Sequence, residues 1–286
     1  MGVALGLTAA LLWGLADYSA ALASREVGAL RVVLGFHVVA VVLLGIAVFA
    51  TSDLGRAGGE QVLVLALVGA VGAVAYLAFY RALAIGPISI VSPVVSGYAA
   101  TTVVLALIVL DETLSVLEAG AVVLAVGGVM LASSDLASVR MRDSARPQGV
   151  LLAILAMVTL GGFVFGLAYY ADDLGWLLPI FLGRASTLVV LAAALAGDLR
   201  GSPRLVTARL LPVIVLLALL DTGGYVAFNV GTGHADTAIV AGAAAPYAVV
   251  PIVLGVLLLE ERPVALQWVG IGLVLVSVAT LGLVGG

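Results

Sequence analysis

Residues 76–112 read YLAFYRALAIGPISIVSPVVSGYAATTVVLALIVLDE, and residues 225–261 read YVAFNVGTGHADTAIVAGAAAPYAVVPIVLGVLLLEE. Laid over each other without gaps, they place Tyr76 on Tyr225, Phe79 on Phe228, Ile90-Val91 on Ile239-Val240 and Tyr98 on Tyr247. The acidic ends coincide as well, Asp111-Glu112 on Glu260-Glu261. Agreement at one fixed spacing over so long a stretch marks a structural unit used twice.

The repeat extends upstream at a slightly smaller offset, which sets Gly14 on Gly161 and His37 on Arg184. Its chemistry is that of a membrane chain. With 64% hydrophobic and 10% charged residues in 286, the chain carries more apolar surface than a soluble core of this length hides. Apolar runs of about 20 residues recur almost back to back, each long enough to cross about 30 Å of hydrocarbon as a helix. A barrel strand alternates apolar and polar residues, whereas Val38 to Ala50 and Val213 to Leu220 are apolar on every side. An apolar run followed by Ala21-Leu22-Ala23 imitates a secretory leader, but no Lys or Arg precedes it, so it reads as a first span.

The expected fold is an all-α integral membrane protein with ten transmembrane helices arranged as two inverted five-helix repeats. Residues 1–134 form the first repeat, 135–147 the linker, and 148–286 the second. Because five is odd, consecutive copies enter the membrane from opposite sides, and sites in such proteins lie between the copies at mid-depth. Arg25, Arg31, Arg81, Arg140, Arg142, Arg146, Arg200, Arg204, Arg209 and Arg262 all fall on one face, and Arg56 alone falls on the other. The positive-inside rule makes the Arg-rich face cytoplasmic and puts both termini outside a multi-pass plasma-membrane protein.

Ionisable groups at membrane depth are functional candidates by default, because each is costly unless paired or wet. Arg184 and Asp221 lie near the centres of the seventh and eighth spans, His37 near the centre of the second, and Asp17 deep in the first. Two readings of Arg184 and Asp221 stand open: an ion pair that locks neighbouring helices, or a guanidinium fork for a substrate carboxylate or phosphate beside an acid for a substrate amine or a coupling proton. His37 occupies the position that Arg184 holds in the other copy. Trp13 shares a helix face with Asp17, and Tyr18 follows it. Tyr98 and Tyr247, matched and well inside their spans, are the leading aromatic candidates for a cavity wall, with Tyr225 and Asn229 behind them. Pro93, Pro246 and Pro251 interrupt helical hydrogen bonding and are candidates for gating. The acidic pairs Asp111-Glu112 and Glu260-Glu261 read as N-terminal caps of the fifth and tenth spans.

Much chemistry is excluded or unsupported. Cysteine is absent, and His37 and His234 are the only histidines. No metal cluster, catalytic triad, nucleotide loop or basic stripe for nucleic acid is visible, so the expectation is a non-enzyme without cofactor or metal. Its partners are a small-molecule substrate, with proton coupling open, and the lipid bilayer; its assembly is a monomer or homodimer.

The ten-span plan, Trp13-Gly14, Arg184, and the turns Asp111-Glu112-Thr113-Leu114 and Glu260-Glu261-Arg262-Pro263 resemble the EamA-type transporters of the drug/metabolite transporter superfamily. That resemblance implies a secondary transporter of small organic metabolites working by alternating access, usually with cytoplasmic termini, opposite to the arginine count here. A lipid-headgroup flippase or a ligand sensor on the same fold is the alternative, and an intramembrane enzyme fits less well. The orientation is testable because the natural chain has no thiol. In intact cells a membrane-impermeant thiol reagent should label Gly286→Cys and spare Ser144→Cys; the opposite pattern reverses the assignment.

Overall fold

The computed structural model describes residues 1–51, 53–85, 94–132, 147–196, 208–250, 253–254 and 264–284. Pro93, Pro251, the turn Glu260-Glu261-Arg262-Pro263 and the linker arginines lie outside these residues.

The described residues form helices, with no strand among them: α1 Gly2–Val27, α2 Ala29–Thr51, α3 Gly59–Ile85, α4 Tyr98–Val109, α5 Val116–Ala132, α6 Pro147–Tyr169, the short α7 Ala171–Leu174, α8 Leu177–Leu195, α9 Leu211–Thr232, α10 Thr237–Ala244 and α11 Ala265–Val284. Helix is what such a sequence must form in lipid, where each backbone N–H and C=O needs a partner within its own segment. Among the described residues six helices are long and apolar enough to cross a membrane, namely α1, α2, α3, α6, α8 and α9. The apolar stretches at Val94–Val109, Val116–Ala132, Thr237–Tyr247 and Ala265–Leu281 are shorter. Val94–Val109 and Val116–Ala132 border residues outside the described set. The outer surface is apolar, with Ile46, Phe49, Leu63, Ile108, Val189 and Leu275 all exposed, as a lipid-facing surface requires.

The first connection is tight. Gly28, at φ 88°, separates α1 from α2 in a left-handed conformation that a side chain resists. Packing then brings α1 onto α9, α3 onto α6 and α8, and α5 onto α11. Close approach rests on small residues. A Cβ on Gly14 would lie 2.5 Å from the Tyr247 carbonyl oxygen, and one on Gly161 would lie 2.6 Å from that of Tyr98. Gly14 and Gly161, like Tyr98 and Tyr247, are the positions the sequence repeat equates, so one contact is made twice. At the α5–α11 seam, Cβ atoms on Gly128 and Gly270 would come within 2.9 Å and 2.6 Å of each other's carbonyl oxygens, and Ser277 Oγ donates to the Ala121 carbonyl at 2.7 Å. Without a hydrophobic driving force between helices in lipid, such contact and cross-helix hydrogen bonding hold the bundle. Ser186 and Thr187 of α8 do the same on α3, donating to the carbonyls of Ala66 at 2.6 Å and Gly69 at 2.8 Å.

The reading of Asp111-Glu112 as a cap of the following span is corrected. The N-terminus of α5 is closed by its own residues: Ser115 N–H donates to Glu118 Oε2 at 2.8 Å, and Glu118 N–H donates to Ser115 Oγ at 3.3 Å, a capping box. Glu112 instead crosses to the start of α10, where its two oxygens accept the N–H groups of Thr237 at 2.7 Å and Ala238 at 2.8 Å. The chain turns at Asp111, whose φ of 52° is the left-handed conformation that Asp tolerates. Asp236, at the N-cap position of α10, makes no side-chain cap, so the carboxylate from the other half takes that place. Glu112→Gln should lower stability by about 1–2 kcal/mol by removing the charge from these two bonds. The exposed neighbour change Asp111→Asn should stay within about 0.5 kcal/mol. Melting of the purified protein in detergent reads both, and equal melting of Glu112→Gln and the parent would refute the cross-half cap.

Candidate functional site

Between the helices lies a cavity with about 80 Å³ available to the centres of water molecules, several times the roughly 10–15 Å³ that one water needs. Its wall is drawn from both halves of the chain. The first contributes Trp13, Ala16, Asp17 and Ala20 of α1, Phe36 of α2, Ala75, Tyr76 and Phe79 of α3, and Val95 and Tyr98. The second contributes Leu160 and Val164 of α6, Leu217, Asp221 and Tyr225 of α9, and Tyr247. Trp13 to Ala20 lie around the middle of α1, Ala75 to Phe79 in the second half of α3, and Asp221 near the middle of α9. Glu112 and the start of α10 are at the face where α9 ends.

The rings form a connected wall. Trp13 stands edge-on to Tyr225, with centroids 5.0 Å apart, and to Tyr98 at 6.3 Å, while Tyr98 and Tyr247 meet edge-on at 5.4 Å. The Trp13 indole N–H donates to the Asp221 carbonyl at 3.2 Å. Space for the indole comes from Gly224, where a Cβ would lie 2.9 Å from Cε2 of the ring.

Two carboxylates face the cavity, in unlike situations. Asp221 forms a salt bridge with Arg184, whose side chain is 0% exposed against 14% for Asp221. The Arg184 guanidinium carbon also lies 4.5 Å from the centroid of the Tyr225 ring, a cation–π contact. Asp221 therefore carries a charge already balanced. Asp17 is exposed to the cavity, and among the described residues no cation pairs with it.

His37 repeats the Arg184 arrangement in the first half. It is fully buried, its ring centroid is 4.9 Å from that of Tyr76, and its Nδ1 is 2.9 Å from the Val33 carbonyl. A carbonyl only accepts, so Nδ1 carries the proton. Basic group on tyrosine thus occurs twice, His37 on Tyr76 and Arg184 on Tyr225.

Of the residues singled out from sequence, Trp13, Asp17, Tyr98, Asp221, Tyr225 and Tyr247 are brought together on the cavity. Arg184 and His37 stand one layer behind it. Asn229 is buried and donates through Nδ2 to the Leu167 carbonyl at 3.4 Å, tying α9 to α6. Tyr18 is half-buried off the wall, and Pro246 is buried in the 3₁₀ turn Ala245–Ala248. Sequence reasoning did not single out Tyr76, Phe79 or Phe36 for the wall. The signal for the first two was the repeat itself, which equates them with Tyr225 and Phe228.

Residues 1–134 match the model of the EamA-like transporter family, part of the drug/metabolite transporter superfamily, whose EamA members are transporters rather than enzymes. A crystal structure described only as that of a protein superposes with a TM-score of 0.76 over 99% of this chain and 97% of its own, at 18% identity, which is a likeness of fold. No curated protein matches the sequence.

The Arg184–Asp221 pair generates a stability prediction. Arg184→Met or Asp221→Asn leaves one buried charge unbalanced and should each cost about 3–5 kcal/mol. Combining Arg184→Met with Asp221→Leu should recover most of that loss, because no lone charge remains. A double variant that melts as low as the sum of the single effects would show that the pair is not coupled.

Proposed function

Starting from a chain whose residues 1–134 match the EamA-like transporter family, we propose that the protein is a secondary transporter of small organic metabolites. Two inverted five-helix repeats, 1–134 and 148–286, rock about the central cavity to give alternating access. The observation that carries this reading is the cavity itself. Both halves build it, and it contains an unbalanced carboxylate at membrane depth, where such a group is retained at a cost. The doubled contacts of Gly14 with Tyr247 and Gly161 with Tyr98 support two equivalent units that shift as bodies. Where the Glu112 carboxylate of one half holds the first turn of α10 in the other, the bundle is clasped at one face. A clasp at one face suits one end state of an alternating cycle.

Substrate contact falls to Asp17, Trp13, Tyr76, Tyr98, Tyr225 and Tyr247. Arg184 positions Asp221 and Tyr225 from behind, and His37 does the same for Tyr76. Asp17, being unpaired, is also the carboxylate best placed to exchange a proton, a role that Asp221 fills less well while Arg184 holds it.

Purified protein in proteoliposomes loaded with a mixed pool of metabolites should release at least one solute faster than empty-vesicle controls, with or without dependence on a pH gradient. Asp17→Asn should cut that flux at least about tenfold, while Asp236→Asn in the exposed loop before α10 leaves it unchanged. No flux of any solute above controls would refute the transporter reading.

A further inference from the structure

We infer that the cavity selects a small organic ammonium, a substrate with a cationic nitrogen and no carboxylate, held by Asp17 inside an aromatic box. This rests on the reading of the same cavity as the transport site.

Charge decides the class. Asp221 is balanced by Arg184, so Asp17 leaves the cavity with one uncompensated negative charge. Among the described residues its lining contains no Arg, Lys or His. An anionic ligand would face Asp17 with nothing to offset either charge. A neutral ligand would displace water from the carboxylate and supply no counter-charge in return. A zwitterion would satisfy Asp17 with its ammonium but carry its own carboxylate into a site without a cation. An ammonium alone closes the balance.

The walls match that ligand. Trp13 and Tyr225 meet at an interplanar angle of 69°, Trp13 and Tyr98 at 77°, and Tyr98 and Tyr247 at 63°. Rings set nearly at right angles form adjoining walls of a box, and ring faces attract cations, especially those held away from water. A second, independent observation points to a ligand. The Tyr98 hydroxyl has no hydrogen-bond partner among the described residues, although Tyr98 is only 4% exposed and lines the cavity. A phenol oxygen accepts from an ammonium N–H, and it lies within electrostatic reach of Asp17.

The test uses the full chain in nanodiscs with Trp176→Phe and Trp268→Phe, both exposed positions, which leaves Trp13 as the single indole. Its fluorescence is titrated with four probes of similar shape: 2-phenylethylammonium, zwitterionic phenylalanine, 3-phenylpropionate and 2-phenylethanol. The ammonium should quench saturably and bind at least about tenfold tighter than each of the others. Asp17→Asn should erase that preference. Phenylalanine or 3-phenylpropionate binding as tightly as the ammonium to the parent protein would overturn the inference, whether or not Asp17→Asn folds. Vesicle flux separates this failure from failure of the transport reading. Transport of an acid or amino acid without preference for the ammonium overturns the ammonium class and leaves a transporter. Selective ammonium binding with no flux of any of the four probes or the mixed pool upholds the ammonium site and overturns transport.

Discussion

A guanidinium with no exposed surface, in the middle of a lipid-spanning bundle, has to be balanced by an anion within reach, and much of the site follows from how this chain balances Arg184. The partner is Asp221 on the next long helix, so the pair ties α8 to α9. The flat cation then lies on the Tyr225 ring, which fixes that ring as a wall. With Asp221 oriented, its backbone carbonyl receives the Trp13 indole from α1, and Gly224 provides room for the indole beside it. One compensated charge thus sets the positions of three cavity residues on two helices, although it contributes no net charge to the space they enclose. Balancing Arg184 with Asp221 is also what leaves Asp17 as the carboxylate with no cation opposite it among the described residues.

The repeat makes the asymmetry of this arrangement visible. Position for position, Asp221 corresponds to Gly72, and a Cβ there would lie 2.8 Å from the Phe163 ring. Where the second half places an acid, the first places an aromatic ring from α6. His37 takes the position of Arg184 and closes its own half with a hydrogen bond to Val33 instead of an ion pair. Both copies keep the basic group against tyrosine. What the halves share builds a common frame; what they do not share gives it one charged side.

The membrane class was legible in the sequence because it depends on a long-range regularity, the length of the apolar runs. The identity of the ionisable candidates was legible too, since a charge in an apolar run is conspicuous. Their partners were not. Whether Arg184 meets Asp221 or a ligand depends on how α8 and α9 are rotated about their axes, and helices apolar on every side give no periodicity from which to read rotation. The same lack of a polar stripe hid which face of α2 and α3 turns inward, so neither Phe36 nor Tyr76 was singled out for the wall. Glu112 failed for a different reason. Helix capping is usually local, and a carboxylate just before a helix is the natural cap for it. Ser115 and Glu118 had already closed that helix, which freed Glu112 for a terminus 125 residues away, a distance no local rule spans.

Gly14 and Gly161 show how frame and lining are joined. Each is read in isolation as a packing residue, and each receives the backbone carbonyl of a tyrosine from the opposite half. The helix surface bearing that tyrosine can come this close only because no side chain intervenes. Both tyrosine rings are thereby carried to the cavity, where they stack edge-on at 5.4 Å. A side chain at either glycine would push one helix away and open the box at the same point. The close approach that holds the two halves together is therefore also what closes the wall of the cavity. A displacement of either helix at these glycines would loosen the frame and the cavity wall together.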